Sequence, residues 1–190
     1  MGGEESLGMS GRNVDSGTLL FRPAGAEDVS RVVELVESAY RGEVSRAGWT
    51  TEADFLDGRR TGADDIESIL ANPHARILLA ERNRELLACA NVAIEDGEGY
   101  FGMFSVKPGC QGQGIGNLVL AEAERIVARE WGCRKMRMTV IDIREDLIPF
   151  YERRGYQRTG IKKPFPYGDE RFGIPLRDDL RFEILEKTLT

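Results

Sequence analysis

One stretch in the second half of the chain carries the clearest chemical pattern: Val106-Lys107-Pro108-Gly109-Cys110-Gln111-Gly112-Gln113-Gly114-Ile115-Gly116. Alternating apolar residues run into a proline turn, and a helical pattern begins inside the glycines. Such a turn presents several backbone N–H groups to one point at a helix N-terminus, a setting that binds phosphate or diphosphate. Glycine is needed because a Cβ would block close approach of a ligand and oppose the positive φ angles of the loop. The common nucleotide loops are excluded by residue type. A Walker A loop ends in Gly-Lys-Ser/Thr, whereas Gly116 is followed by Asn117-Leu118. A dinucleotide fingerprint needs its third glycine where Asn117 stands, and it opens a series of strand–helix–strand units. What remains is Gln111-x-x-Gly114-x-Gly116 after a strand ending Val106-x-Pro108. It reads either as a diphosphate loop of another kind or as a glycine-rich turn without a ligand.

The elements that must position this loop are legible from periodicity. Thr18–Arg22 reads as a short strand broken by Pro23. Val29, Val32, Val33, Val36 and Tyr40 fall at helical spacing within 26–40. Residues 41–62 read as loop, and a second helical pattern covers 64–70 before Asn72-Pro73. Strands are expected at 76–81 and 86–94, with Asn83-Arg84 as the hairpin turn. A further strand is expected at 100–106 after the turn Asp96-Gly97. From the glycine loop a helix runs to about Glu130 on the stripe Ile115, Val119, Ala123, Ile126 and Val127, with Gly132 as its stop. A strand at 136–141 follows, then a short helix around 146–154 that either starts late or kinks at Pro149. Strands at 156–160 and 181–186 flank a proline- and glycine-rich loop, 162–178. Hairpins first and a helical crossover later predict an α/β (α+β) fold. Its mixed, mostly antiparallel central sheet carries helices on both faces.

Composition sets bounds. The 190 residues suggest one domain, 18–190, behind a polar, glycine-rich tail at 1–17. No run of 18 apolar residues exists, so no membrane span is expected. Cys89, Cys110 and Cys133 share no metal spacing and the chain has one histidine, His74, so no metal site is expected. The net charge of −6 and the lack of a dense Lys/Arg block argue against a nucleic-acid partner. Absent a secretion signal, the compartment reads as reducing cytoplasm.

A second element joins the loop. Phe150-Tyr151-Glu152-Arg153-Arg154-Gly155-Tyr156 has a tyrosine four residues before a Gly-aromatic pair. Together, and in this order, the two elements resemble the GCN5-related N-acetyltransferases (GNAT), over roughly 18–189. The resemblance implies the GNAT acyl-CoA N-acyltransferase fold, with acetyl-CoA lying in a V-shaped opening between the strands at 100–106 and 136–141. It implies that backbone groups of Phe104, Ser105 and Val106 pair with the pantetheine arm. It also implies that the amides of Gln111, Gly112, Gln113, Gly114, Ile115 and Gly116, with Asn117, hold the diphosphate.

The implied reaction is direct acyl transfer from the thioester to an amine of a small molecule or peptide in a ternary complex. An alkylamine with a pKa near ~10.4 is neutral in about one molecule per thousand at neutral pH, so deprotonation costs roughly 4–5 kcal/mol without a base or proton path. The leaving thiolate needs a hydrogen-bond donor, and Tyr151 is the candidate; the bland alternative is a packed core tyrosine. Many relatives carry a glutamate on the strand before the loop where this chain has Tyr100. Glu98, two residues earlier and on the same strand face, is the candidate base through a water, or else a solvent-facing glutamate beside its turn. Many relatives also place asparagine where this chain has Arg144, which pairs with phosphate or caps a loop instead. Trp49, Glu52 and Tyr100 are candidate acceptor contacts, since aromatics and a carboxylate hold cations. Dimerisation through the late strands is common in the family. The reading from another class is a catalytically silent acyl-CoA-binding sensor on the same fold.

Overall fold

The computed structural model describes residues 17–48 and 51–190. The tail expected at 1–17 lies, apart from Gly17, outside them, as do Trp49 and Thr50. The chain runs β1 (Leu20–Pro23), α1 (Val29–Tyr40), α2 (Gly42–Ser45), β2 (Leu56–Asp57), α3 (Ala63–Ala71), β3 (Ala75–Arg82), β4 (Glu85–Glu95), β5 (Glu98–Val106), α4 (Ile115–Arg125), β6 (Lys135–Ile141), α5 (Leu147–Glu152), β7 (Gln157–Pro164), β8 (Ile174–Pro175) and β9 (Arg181–Thr188). Seven strands form one sheet in the order β1-β3-β4-β5-β6-β9-β7, while β2 pairs with β8 alone. Every neighbouring pair in the large sheet is antiparallel except β5 with β6. This is the mixed, mostly antiparallel sheet expected from the sequence.

Both faces of the sheet are covered. Successive strand residues point to opposite sides, so Ile77, Leu79 and Cys89 meet Val32, Val36 and Ile66 of α1 and α3. Leu78, Ala80, Ala88, Ala90 and Val92 meet Val119, Ala123 and Val127 on the α4 side. This burial on both faces explains why β3 and β4 read as nearly continuous apolar runs. The two hairpins turn where expected. Asn83 and Arg84 adopt φ of 52° and 68°, and Asp96 and Gly97 adopt 52° and 80°. Two consecutive left-handed residues give the turn whose twist matches that of paired strands.

Three boundaries differ from the sequence expectation. β5 begins at Glu98, so the strand reaches the turn itself. The segment 41–62, expected as loop, holds α2 and β2, and the loop expected at 162–178 holds the end of β7 and all of β8. The β2–β8 ribbon joins segments more than a hundred residues apart, and two-residue strands leave no local periodicity to read. The helix after the loop widens to a π turn over Ile126–Glu130 before Gly132 ends it at φ 68°. Among the described residues no helix is long and apolar enough to cross a membrane.

One polar cluster secures the entry to α1. Asp28 is buried and accepts from Arg22 Nη1 and Nη2 at 2.7 and 2.8 Å, from Arg31 at 3.2 Å and from the Gly25 amide at 2.9 Å. The Arg22 hydrogen bonds hold its carboxyl down at about 2, against the opposing effect of burial. A depressed carboxylate stabilises the fold above its ordinary pKa, near ~3.9, and loses that contribution as pH falls through the folded value. Asp28→Asn should therefore cost roughly 1.5–3 kcal/mol at pH 7. The deficit should shrink as melts are repeated toward pH 2.

Candidate active site

β5 and β6 are in register only at Gly99↔Met136 and Tyr100↔Arg137. Beyond that point they separate. Met103 takes φ 51°, and the β4–β5 register slips between Cys89 and Asn91. Such a bulge bends the strand that carries it. A cavity of about 740 Å³ opens here, walled by Phe101–Phe104, Met138–Ile141, Tyr40, Arg144 and Tyr151. The Lys107 amide donates to the Leu87 carbonyl at 2.8 Å. The antiparallel alternation then turns the main-chain groups of Phe104 and Val106 away from β4 and toward the opening. Two side chains reach these carbonyls: Tyr40 Oη donates to Phe104 at 2.6 Å and Gln111 Nε2 to Val106 at 3.2 Å. Ser105 is buried and donates to the Met103 carbonyl.

The glycine loop stands at one end of this opening. Gly114 caps α4 in a left-handed conformation, φ 80°, which a residue with a Cβ adopts only with strain. No acceptor among the described residues is paired with the amides of Gly112, Gln113, Gly114, Ile115 or Gly116. These are the orphan donors of a helix start, together with the loop leading into it. Gly116 serves packing: a Cβ there would lie 3.0 Å from Phe104 Cζ. Phe104 in turn stacks on Phe150 at 6.1 Å. The Asn117 side chain faces α5, where its Oδ1 accepts from Arg154 Nε at 2.6 Å.

The helix α5 explains the spacing of the second element. The amides of Arg154 and Tyr156 both donate to the Tyr151 carbonyl, and Gly155 takes φ 90° to allow it. The tyrosine-to-glycine interval is thus one helical turn and its cap. Pro149 falls in the first turn of α5, which begins at Leu147, a place where proline is tolerated. Tyr151 is 3% exposed and lines the cavity. Its ring meets Phe150 and Tyr156 edge-on at 5.2 and 5.9 Å. Burial raises its phenol well above the usual range, with Arg144 opposing.

The other expected residues are placed as follows. Tyr100 lines the cavity, and burial raises its phenol too. Glu52 also lines it, but its carboxylate is engaged by Arg41 Nη1 at 2.7 Å. Trp49 lies outside the described residues. Glu98 shares the Tyr100 face of β5 but is not part of the cavity wall. Its carboxylate lies 2.7 Å from Arg137 Nε, close but not aligned for a hydrogen bond. Its cross-strand partner, the solvent-exposed Glu95, does line the cavity, as do Glu52 and Asp65. Desolvation, with Asp96 beside it, raises the Glu95 carboxyl above its ordinary value. Glu95 was not singled out from the sequence, although a two-residue turn at Asp96-Gly97 pairs 95 with 98 and so puts Glu95 on the face of Tyr100. Arg144 is buried in the cavity wall, with Nε donating to Asp146 Oδ1 at 3.1 Å. Asn91, also missed, presents a buried Oδ1 without a hydrogen-bond partner among the described residues.

The profile of the acetyltransferase (GNAT) family matches residues 31–156. The chain belongs to the GNAT family. No curated protein matches it in sequence. Among solved structures it is similar to the ribosomal-protein-S18-alanine N-acetyltransferase of Escherichia coli, at 13% identity and TM-score 0.67, covering 91% of this chain and 95% of that one. It is similar to a ribosomal-protein-alanine N-acetyltransferase from Brucella melitensis, at 18% identity and TM-score 0.66, covering 90% and 99%. A spermidine N-acetyltransferase chimera from Vibrio cholerae and hSSAT matches at 13% identity and TM-score 0.65, covering 90% and 95%. At these identities the likeness is one of fold. GNAT proteins generally use acetyl-CoA, and the residues present fit that molecule. The unpaired amides from Gly112 to Gly116 suit its diphosphate, and the edge of β5 that β6 leaves unpaired suits an extended, amide-bearing arm.

Proposed function

We propose that this protein is an acetyl-CoA-dependent N-acetyltransferase acting on a primary amine by direct attack in a ternary complex. The observation that carries the reading is the alignment of three things along one opening. These are a loop of unpaired amides, a strand edge not paired with β6 beyond Tyr100, and a buried tyrosine hydroxyl. Acetyl-CoA supplies the acyl group as a thioester when bound. The amides from Gly112 to Gly116 hold its diphosphate, while that of Asn117 stays with the Gly114 carbonyl, and the backbone of Phe104 to Val106 lines its arm. Tyr151 keeps a proton at Oη, because burial disfavours its phenolate, and presents it to the departing sulfur. Glu95 takes the proton that the acceptor ammonium must lose before it can attack; Glu98 is held by Arg137 and serves the strand. Across the reaction the N–C bond forms and the C–S bond breaks. The ammonium gives up two protons, of which the thiol keeps one.

Thiol release from acetyl-CoA over a panel of primary amines tests the reading. CoA binding without release to any acceptor would instead assign the chain as a silent acyl-CoA sensor. The base is tested by pH. A group that must be ionised to act loses activity as pH falls through its pKa, so Glu95→Gln should remove the acid limb of the kcat/KM profile and lower its plateau roughly 100-fold. Glu98→Gln should leave that limb where it is.

A further inference from the structure

Charged side chains in the cavity wall fall into two groups when their partners within the protein are counted. Arg171 is held by Asp169 and Arg144 by Asp146. Asp65 accepts from the Gly62 amide at 2.8 Å, and Glu52 is taken by Arg41. Among the described residues three wall charges make no side-chain hydrogen bond, Arg60, Lys163 and Glu95, and Lys163 lies near enough to Glu95 to favour its carboxylate.

Arg60 is the most constrained of them. Its guanidinium lies over the Tyr40 ring, 5.1 Å from the centroid, with side-chain exposure of 31%. Its nearest carboxylate oxygen is Glu52 Oε2 at 4.0 Å, the atom already hydrogen-bonded to Arg41. Glu37 lies nearby, but its Oε1 accepts from the backbone amides of Arg60 and Thr61. Among the described residues the Arg60 side chain therefore donates no hydrogen bond. A stacked, planar donor fork without an acceptor is the setting that receives a carboxylate or another oxoanion. Glu95 lines the same cavity, and the Tyr100 phenol feels both charges.

We infer that the acceptor is a small amine that also carries an oxoanion, of the amino-acid type, with its anionic group on Arg60 and its ammonium toward Glu95. The inference rests on the acetyltransferase reading of the same cavity and narrows it. Arg60 and Lys163, with Lys163 close enough to Glu95 to act on its charge, disfavour a polyamine, which would bring only further positive charge. An ampholyte meets both signs at once.

The test separates this inference from the activity on which it rests. Calorimetry on the protein saturated with free CoA measures acceptor binding without turnover. The ligands are pairs that differ by one carboxylate: phenylalanine and phenethylamine, lysine and cadaverine, arginine and agmatine, with spermidine added. At least one amino acid should bind roughly tenfold or more tightly than its decarboxylated partner and than spermidine. Arg60→Gln should erase that ratio, and Arg60→Lys should restore part of it. Equal or tighter binding of the decarboxylated amines, no binding by any member, or a ratio that survives Arg60→Gln would overturn the inference. Thiol release with acetyl-CoA is read separately. Its absence despite carboxylate-dependent binding would strike the acetyltransferase reading and leave the ligand class standing.

Discussion

Tyr151→Phe should lower turnover by roughly 10²–10⁴-fold while the dissociation constant for CoA stays within about threefold of the parent protein. The expectation follows from what the substitution removes. The ring is embedded among Phe150, Tyr156 and Phe101, and phenylalanine fills the same volume in the same packing. Only the hydroxyl is lost, at a position where burial keeps it protonated. A thiolate leaving into such a cavity without a donor is a poor leaving group. The measurement is steady-state kinetics beside calorimetry with CoA. Unchanged turnover would remove Tyr151 from the chemistry and return it to the core. An equal fall in both quantities would mean that the ring, not the proton, matters.

The second large effect is expected in the glycine loop. Gly114→Val should weaken CoA binding by roughly 100-fold or more, equivalent to about two charge-assisted hydrogen bonds. Nothing within 4 Å obstructs a Cβ at this position. The penalty is conformational: a β-branched residue resists φ 80° by about 1–3 kcal/mol, and relaxation turns the neighbouring amides away from their common focus. Asparagine tolerates the left-handed region, so Gly114→Asn should lose distinctly less than Gly114→Val. Equal losses in the two variants would locate the effect in side-chain bulk rather than in the backbone. No loss in either would separate the loop from diphosphate binding altogether.

Much of this architecture was legible before any coordinates, and the reasons are local. Helices α1 and α4 announce themselves by stripes that repeat every turn, and both hairpins by turn dipeptides with left-handed preference. The loop and the Tyr151–Gly155 interval are equally local, since each is one element's cap. What escaped reading depends on contacts between distant segments. The β2–β8 ribbon exists only because residues near 56 and 175 meet. The arginine partners of Glu52 and Glu98 were hidden for a related reason. Residue type announces a carboxylate, but only tertiary structure shows that Arg41 and Arg137 have already claimed these two. Glu95 was within reach of sequence reasoning, because hairpin register carries a residue's face across the turn. Arg60 was not, since its interest lies in having no acceptor, which no sequence pattern records.

The separation of β5 from β6 has a consequence for solubility. An unpaired strand edge is ordinarily a template on which further strands, including those of other molecules, assemble. Here the two edges face each other across a closed-ended wedge, since they meet at Gly99 and Tyr100. A wedge closed at one end is shaped for a single extended guest rather than for a further sheet. Tyr40 and Gln111 further blunt the β5 side by occupying its carbonyls. An open ladder of this shape offers a foreign strand little room to add to, and a slim chain-like molecule is the guest its form suits.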